Sequence, residues 1–207
     1  MRIRFLKPLG VLAATLPAAW LVRGAFTGGL GANPIDKITD ETGVWTLRFL
    51  LLTLAVTPVR RWLGWNELIG LRRTLGLFAF GYGVLHFATY FVLDHFFDVD
   101  RVFADVVKRP FVTAGFTGFV LMIPLAITST RGWIRRLGRR WQQLHRLAYA
   151  SAIAGVVHYL WLVKADLGRP LRYAAILVVL LGARLVWMAR AGMASRARRG
   201  PAPVPEG

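Results

Sequence analysis

Residues 74–93 read TLGLFAFGYGVLHFATYFVL, and no charged residue appears until Asp94. A run of about 20 apolar residues matches the hydrocarbon thickness of a bilayer at helical rise. One histidine, His86, sits within it. An intramembrane histidine is costly and marks a pathway, a relay or a metal, although a single one is also satisfied by an interhelical hydrogen bond.

Five further apolar segments flank this one: Pro8–Val22, Val44–Val59, Phe111–Thr128, Leu144–Val163 and Leu171–Met188. The chain therefore reads as an all-α membrane protein, a bundle of about six transmembrane helices over residues 1–190, with a disordered tail over 191–207 rich in Arg, Ala and Pro. A hydrophobic fraction of 56% and a mean hydropathy of +0.49 agree with that class. The first segment, with Arg2, Arg4 and Lys7 before it, has the charged start of a signal peptide. It shows no clean small-x-small cleavage site, so it is expected to be a retained helix, with Pro17 as a tolerated kink. No internal repeat is evident.

The formal net charge is +17. Its basic residues fall in short stretches between apolar segments, which fits topology and anionic lipid head groups rather than nucleic acid. With the N-terminus in the cytoplasm, 17 Lys and Arg lie on the inner side and 8 on the outer, while eight of the ten acidic residues lie outside. The positive-inside rule then gives an inner-membrane protein with both termini cytoplasmic. Arg48 and Arg184 remain inside apolar segments, either snorkelling or serving as cations for a cofactor.

There are no cysteines. Disulfides, zinc thiolates, iron–sulfur clusters and covalently attached haem are excluded together. Iron chemistry would rest on His86, His145 and His158; His95, among acidic residues at the outer surface, reads as exposed and solvated. His86 lies eight residues before Asp94 and His158 six before Lys164. On parallel helices at about 1.5 Å per residue, their depths agree within ~3 Å. Two neutral imidazoles at one depth on neighbouring helices suit the two axial positions of a haem iron. His145 lies 13 residues before His158 and near the inner surface, about 20 Å along a straight helix and roughly 140° around it. The matching position 14 residues before His86 is Arg72, followed by Arg73. Arginine is a poor iron ligand but a good phosphate partner. Two stacked cofactors are therefore expected, haem outside and something anionic within.

Several segments carry a family resemblance: Asn33–Thr39, Thr42–Leu51, Leu71–Leu77, Leu85–Phe87, Thr128–Trp133, Trp141–Leu147 and His158–Trp161. Together they resemble the MsrQ family, haem-binding membrane subunits of a periplasmic methionine sulfoxide reductase system. The resemblance implies a ferric reductase-like transmembrane domain without soluble flavin and nicotinamide domains. It implies haem b and FMN as cofactors, with His86 and His158 as iron ligands and His145 as a further haem residue; Arg72 and Arg73, from their position, are the residues expected beside the inner cofactor. Its implied partners are a periplasmic MsrP-like molybdopterin subunit as acceptor and a cytoplasmic flavin reductase or membrane quinone as donor. A cytochrome b-like ferric or quinone reductase is the redox alternative. A small transporter with a histidine proton relay is the other, although it would want intramembrane carboxylates. A purely structural anchor leaves the matched histidine depths without a reason.

Overall fold

The computed structural model describes residues 3–199, with side chains over 7–193. The described residues form helices joined by short connections, with no strand among them. In chain order these are α1 (Ile3–Thr27), α2 (Pro34–Leu63), α3 (Ile69–Ala88), α4 (Val99–Lys108), α5 (Pro110–Ile127), α6 (Arg131–Leu137), α7 (Arg139–Leu144), α8 (Leu147–Leu162) and α9 (Gly168–Arg199). A π-helical turn, Thr89–Asp94, extends α3. Five helical stretches are long and apolar enough to cross a bilayer: Lys7–Thr27, Pro34–Leu63, Asn66–Asp94, Pro110–Ile127 and Gly168–Met193. The sixth, α8, has 16 residues and packs along α5. The result is a multi-pass bundle of about six spans.

Local sequence explains where the helices begin and stop. Asn33 accepts from the Asp36 amide and Pro34 opens α2, while Gly64, at φ +68°, closes it in the left-handed conformation that a side chain would oppose. Asp98 caps α4 through the Arg101 amide, and Thr130 caps α6 through that of Trp133. Pro110 starts α5.

α2 is the centre of the bundle. Half of its most apolar window is buried, against 6% for α9, because helices pack around it on several sides. Leu47, Phe49, Leu50, Leu51 and Leu54 meet Ala79 and Tyr82 of α3, Met122 of α5, Ala152 and Val156 of α8 and Leu177 of α9. The outer flanks of α1 and α9 expose Leu9, Leu12, Leu16, Val178, Val179 and Leu185. A soluble chain would not leave such belts in water; lipid is their solvent.

Three expectations change. The reading of a disordered tail from residue 191 gives way to helix through Arg199, since the Ala, Met and Arg of this stretch are strong helix formers; residues 200–207 lie outside the described residues. The fifth apolar segment does not begin as one helix at Leu144: α7 ends there and α8 starts at Leu147. Arg48 and Arg184 are held by aromatic residues. Arg48 donates from Nε to the Tyr173 hydroxyl at 2.9 Å and lies over Trp45, and Arg184 lies over Tyr149.

A hydroxyl is inserted into the backbone of α1. Tyr82 accepts from the Ala18 amide and donates to the Ala14 carbonyl, both at 2.9 Å, standing between two groups that would otherwise pair in the helix. The insertion falls beside Pro17, where the ladder already lacks a donor. Tyr82→Phe removes this bridge and is expected to speed hydrogen exchange at the Ala18 amide about fivefold, the equivalent of about 1 kcal/mol for one net hydrogen bond. Exchange of the detergent-solubilised protein followed by mass spectrometry checks it.

Candidate functional site

His86 and His158 come together in the bundle interior, with ring centres 6.1 Å apart and planes 75° apart. His86 lies in the fifth turn of α3 and faces α2, and His158 lies in the fourth turn of α8 and faces α5. His86 Nδ1 is 2.9 Å from the Thr39 carbonyl of α2, and His158 Nδ1 is 2.7 Å from the Phe111 carbonyl of α5. A carbonyl only accepts, so each Nδ1 carries the proton and donates it. The lone pair is thereby assigned to Nε2 in both rings. A histidine that binds a metal is arranged in this way, one nitrogen donating to an orienting acceptor and the other free for the metal.

The pair fits a haem iron. Metal–imidazole bonds of about 2 Å on opposite faces of one metal place the ring centres roughly 6 Å apart. Among the described residues no group of three or more His, Asp and Glu is positioned to hold a bare metal ion. Two buried neutral imidazoles without a carboxylate suit a metal that brings its own equatorial ligands.

His145 stands elsewhere. It caps α7, its ring stacks on Trp141 with centres 3.9 Å apart, and its Nε2 is 3.1 Å from the Thr128 hydroxyl. The break between α7 and α8 makes a straight-helix count from His158 inapplicable. Burial, and then the nearby Arg72 guanidinium, push its imidazole below the ordinary value, so it is neutral at pH 7. Arg72 is half-buried beside it and Arg73 is exposed. The structure thus brings His145 near Arg72 and keeps both apart from the His86–His158 pair. Sequence reasoning missed Thr39 and Phe111, because a backbone acceptor leaves no residue-type signal.

Residues 42–156 match the family described as "Ferric reductase like transmembrane component". The match takes in His86 and His145 and stops two residues short of His158. The chain is similar to several proteins named "Protein-methionine-sulfoxide reductase heme-binding subunit MsrQ". That of Herminiimonas arsenicoxydans is 53% identical over 189 residues, covering 90% of this chain and 87% of the relative. That of Azospira oryzae is 55% identical over 177 residues, covering 84% and 76%. That of Caulobacter vibrioides is 51% identical over 180 residues, covering 86% and 85%. No solved structure matches the chain.

At the opposite end from the arginine-rich helices lies a polar cluster that corrects the reading of His95 as a solvated surface residue. Its side chain is 16% exposed, with Nε2 3.3 Å from Asp105 Oδ2 and Nδ1 3.2 Å from the Tyr90 carbonyl. Tyr90 donates to the same Asp105 oxygen at 3.0 Å, and Arg109 pairs with Oδ1 at 3.1 Å. Asp105, on α4, is the only member that all the others reach, because α4 folds back over the end of α3. Asp105→Asn weakens each of these contacts and is expected to raise amide exchange across Val99–Lys108 about tenfold while leaving α2 and α3 unchanged; exchange mapped peptide by peptide checks it.

Proposed function

We propose a function from one premise: the chain belongs to the MsrQ family of ferric reductase-like transmembrane proteins. It is the electron-transfer subunit of a methionine sulfoxide reductase system in the bacterial inner membrane, with both termini in the cytoplasm. Electrons come from a cytoplasmic-side donor, a flavin reductase or a membrane quinol, and go to a periplasmic MsrP-like molybdopterin subunit that repairs oxidised methionine in proteins. Haem b, with FMN on the donor side, supplies the one-electron steps that amino-acid side chains do not.

The observation that carries this reading is the His86–His158 pair, 6.1 Å apart and each tied through Nδ1 to a helix carbonyl. These two side chains would hold the haem iron through Nε2. The fixed tautomer removes the need to lose a proton on binding, and burial keeps water from competing for the metal. His145, Arg72 and Arg73 form the cofactor-binding residues of the other end. There a neutral imidazole and two guanidinium groups favour a planar anionic group such as a flavin phosphate. The arginines of α6 and α7 add a positive surface that steers an acidic donor, and they contact anionic lipid. At the other end Asp36, Asp40, Glu41, Asp94, Asp98 and Asp100 present the carboxylates of the acceptor-side surface. Methionine sulfoxide itself is handled by the partner, and this chain is a conduit.

The test is an oxidised-minus-reduced visible spectrum of the solubilised protein, with extracted haem and flavin quantified. A b-type, low-spin signal near one haem per chain is expected, and it is lost in His86→Ala and in His158→Ala. A wild-type spectrum in either variant overturns the assignment. His145→Ala is expected to keep the low-spin signal and lower the flavin content.

A further inference from the structure

His86 and His158 are 72 residues apart, and so are the two carbonyls that hold them, Thr39 and Phe111. The same interval separates Gly43 from Gly115, Leu47 from Phe119 and Gly83 from Gly155. The helix pair α2–α3 and the helix pair α5–α8 are therefore two copies of one hairpin, although no repeat is evident in the residues themselves.

The contacts between the copies are reciprocal. A Cβ on Gly83 would lie 3.4 Å from the Phe119 ring, and a Cβ on Gly155 would lie 3.6 Å from Leu47. Each glycine thus faces the equivalent large side chain of the other hairpin, which is the signature of a two-fold relation. Within each hairpin the spacing also repeats. A Cβ on Gly83 would be 3.6 Å from the Thr46 methyl, and one on Gly118, the counterpart of Thr46, would be 3.6 Å from the Gly155 nitrogen. The approximate dyad relates His86 to His158.

The most demanding repeated feature lies under the imidazoles. A Cβ on Gly43 would sit 2.9 Å from Cε1 and 3.0 Å from Nδ1 of His86. A Cβ on Gly115 would sit 2.6 Å from Nδ1, 2.9 Å from Cε1 and 3.0 Å from Cγ of His158. These are atoms of a rigid ring, not the end of a flexible chain. The ring has no easy retreat, since its Nδ1 is bound to the carbonyl one turn earlier on the same helix. In an α-helix that carbonyl pairs with the amide four residues on, which here is the glycine's own. One helical turn thus supplies both the acceptor and the flat seat for each imidazole.

We infer that Gly43 and Gly115 are positioning residues that set the direction of the two iron-binding nitrogens, equivalent members of a duplicated imidazole clamp. The inference rests on the proposed role of His86 and His158 as iron ligands. An alanine at either glycine would tilt its ring, loosen the Nδ1 bond and re-aim Nε2.

The experiment has two arms. In the first, Gly43→Ala and Gly115→Ala are purified with bound haem and compared by electron paramagnetic resonance and by the rate of haem loss to an acceptor protein. Both variants are expected to shift the low-spin signal and to lose haem about tenfold faster, an effect of about 1.4 kcal/mol. Gly81→Ala, where a Cβ meets nothing within 4 Å, is the control and should match wild type. Wild-type signals and rates in a Gly43 or Gly115 variant overturn the inference. The second arm needs no haem and covers variants that fold poorly. The loss in melting temperature caused by Gly43→Ala should vanish when His86 is already Ala, and that of Gly115→Ala should vanish when His158 is Ala. A loss that persists without the imidazole makes the glycine a packing residue and overturns the inference. Absence of haem from the wild-type protein would instead defeat the proposed function, while the second arm still reports the clamp.

Discussion

A helix carbonyl that accepts a second hydrogen bond is the constraint on which the bundle interior depends. Thr39 lies in the second turn of α2 and Phe111 in the first turn of α5, and each receives an imidazole N–H from the helix packed beside it. A buried imidazole without a partner would cost its full desolvation, and a carboxylate partner would bring a charge into a region whose surroundings are hydrocarbon. A backbone carbonyl satisfies the donor with a neutral group that is already fixed by the helix. The price is proximity: α2 must approach α3, and α5 must approach α8, closely enough for the ring to reach the backbone.

That closeness explains where the small residues fall. The α5–α8 interface is lined by Gly118, Ser151 and Gly155, and the Ser151 hydroxyl donates to the Gly118 carbonyl at 2.8 Å. Without a hydrophobic force between helices in lipid, such contacts and interhelical hydrogen bonds carry association. The larger residues gather instead around α2, where Phe49 packs against Trp45, Phe78 and Tyr82. Thus the interior divides into an aromatic half that fills space and a small-residue half that brings backbones together, and the two histidines stand at the acidic end of both.

Much of this was legible in the residues. The apolar runs gave six spans, and counting from Asp94 and Lys164 placed His86 and His158 at one depth, the arrangement that the two rings adopt. The duplication was not legible, because the two hairpins share few identities: Leu47 answers to Phe119, Thr46 to Gly118 and Tyr82 to Ala154. What repeats is a backbone acceptor, which no residue type marks, beside a few glycines and one histidine per hairpin, too few identities to stand out as a repeat. His95 was misread for a related reason. Acidic neighbours suggest solvent, yet Asp105 is brought back over it by α4, a contact that local sequence does not announce. The break after Leu144 was hidden by the continuous apolar character of the segment, and hydropathy does not report where a helix changes direction.

The two-fold relation also bears on the arginine end. An offset of 72 pairs His145 with Arg73, one residue beyond the position reached by counting 14 back from His86. The equivalents have unlike surroundings: Arg73 is exposed on α3, whereas His145 sits at a helix break, stacked on Trp141 and bonded to Thr128. A duplicated frame therefore keeps its symmetry where two imidazoles face each other and loses it where one imidazole faces cations. A site with matched ligands on opposite sides suits a metal in a flat ring, and a site with an imidazole on one side and guanidinium groups on the other suits an anion. On the proposed function, that divergence within one duplicated hairpin is what lets a single small bundle present different cofactor chemistry at its two ends.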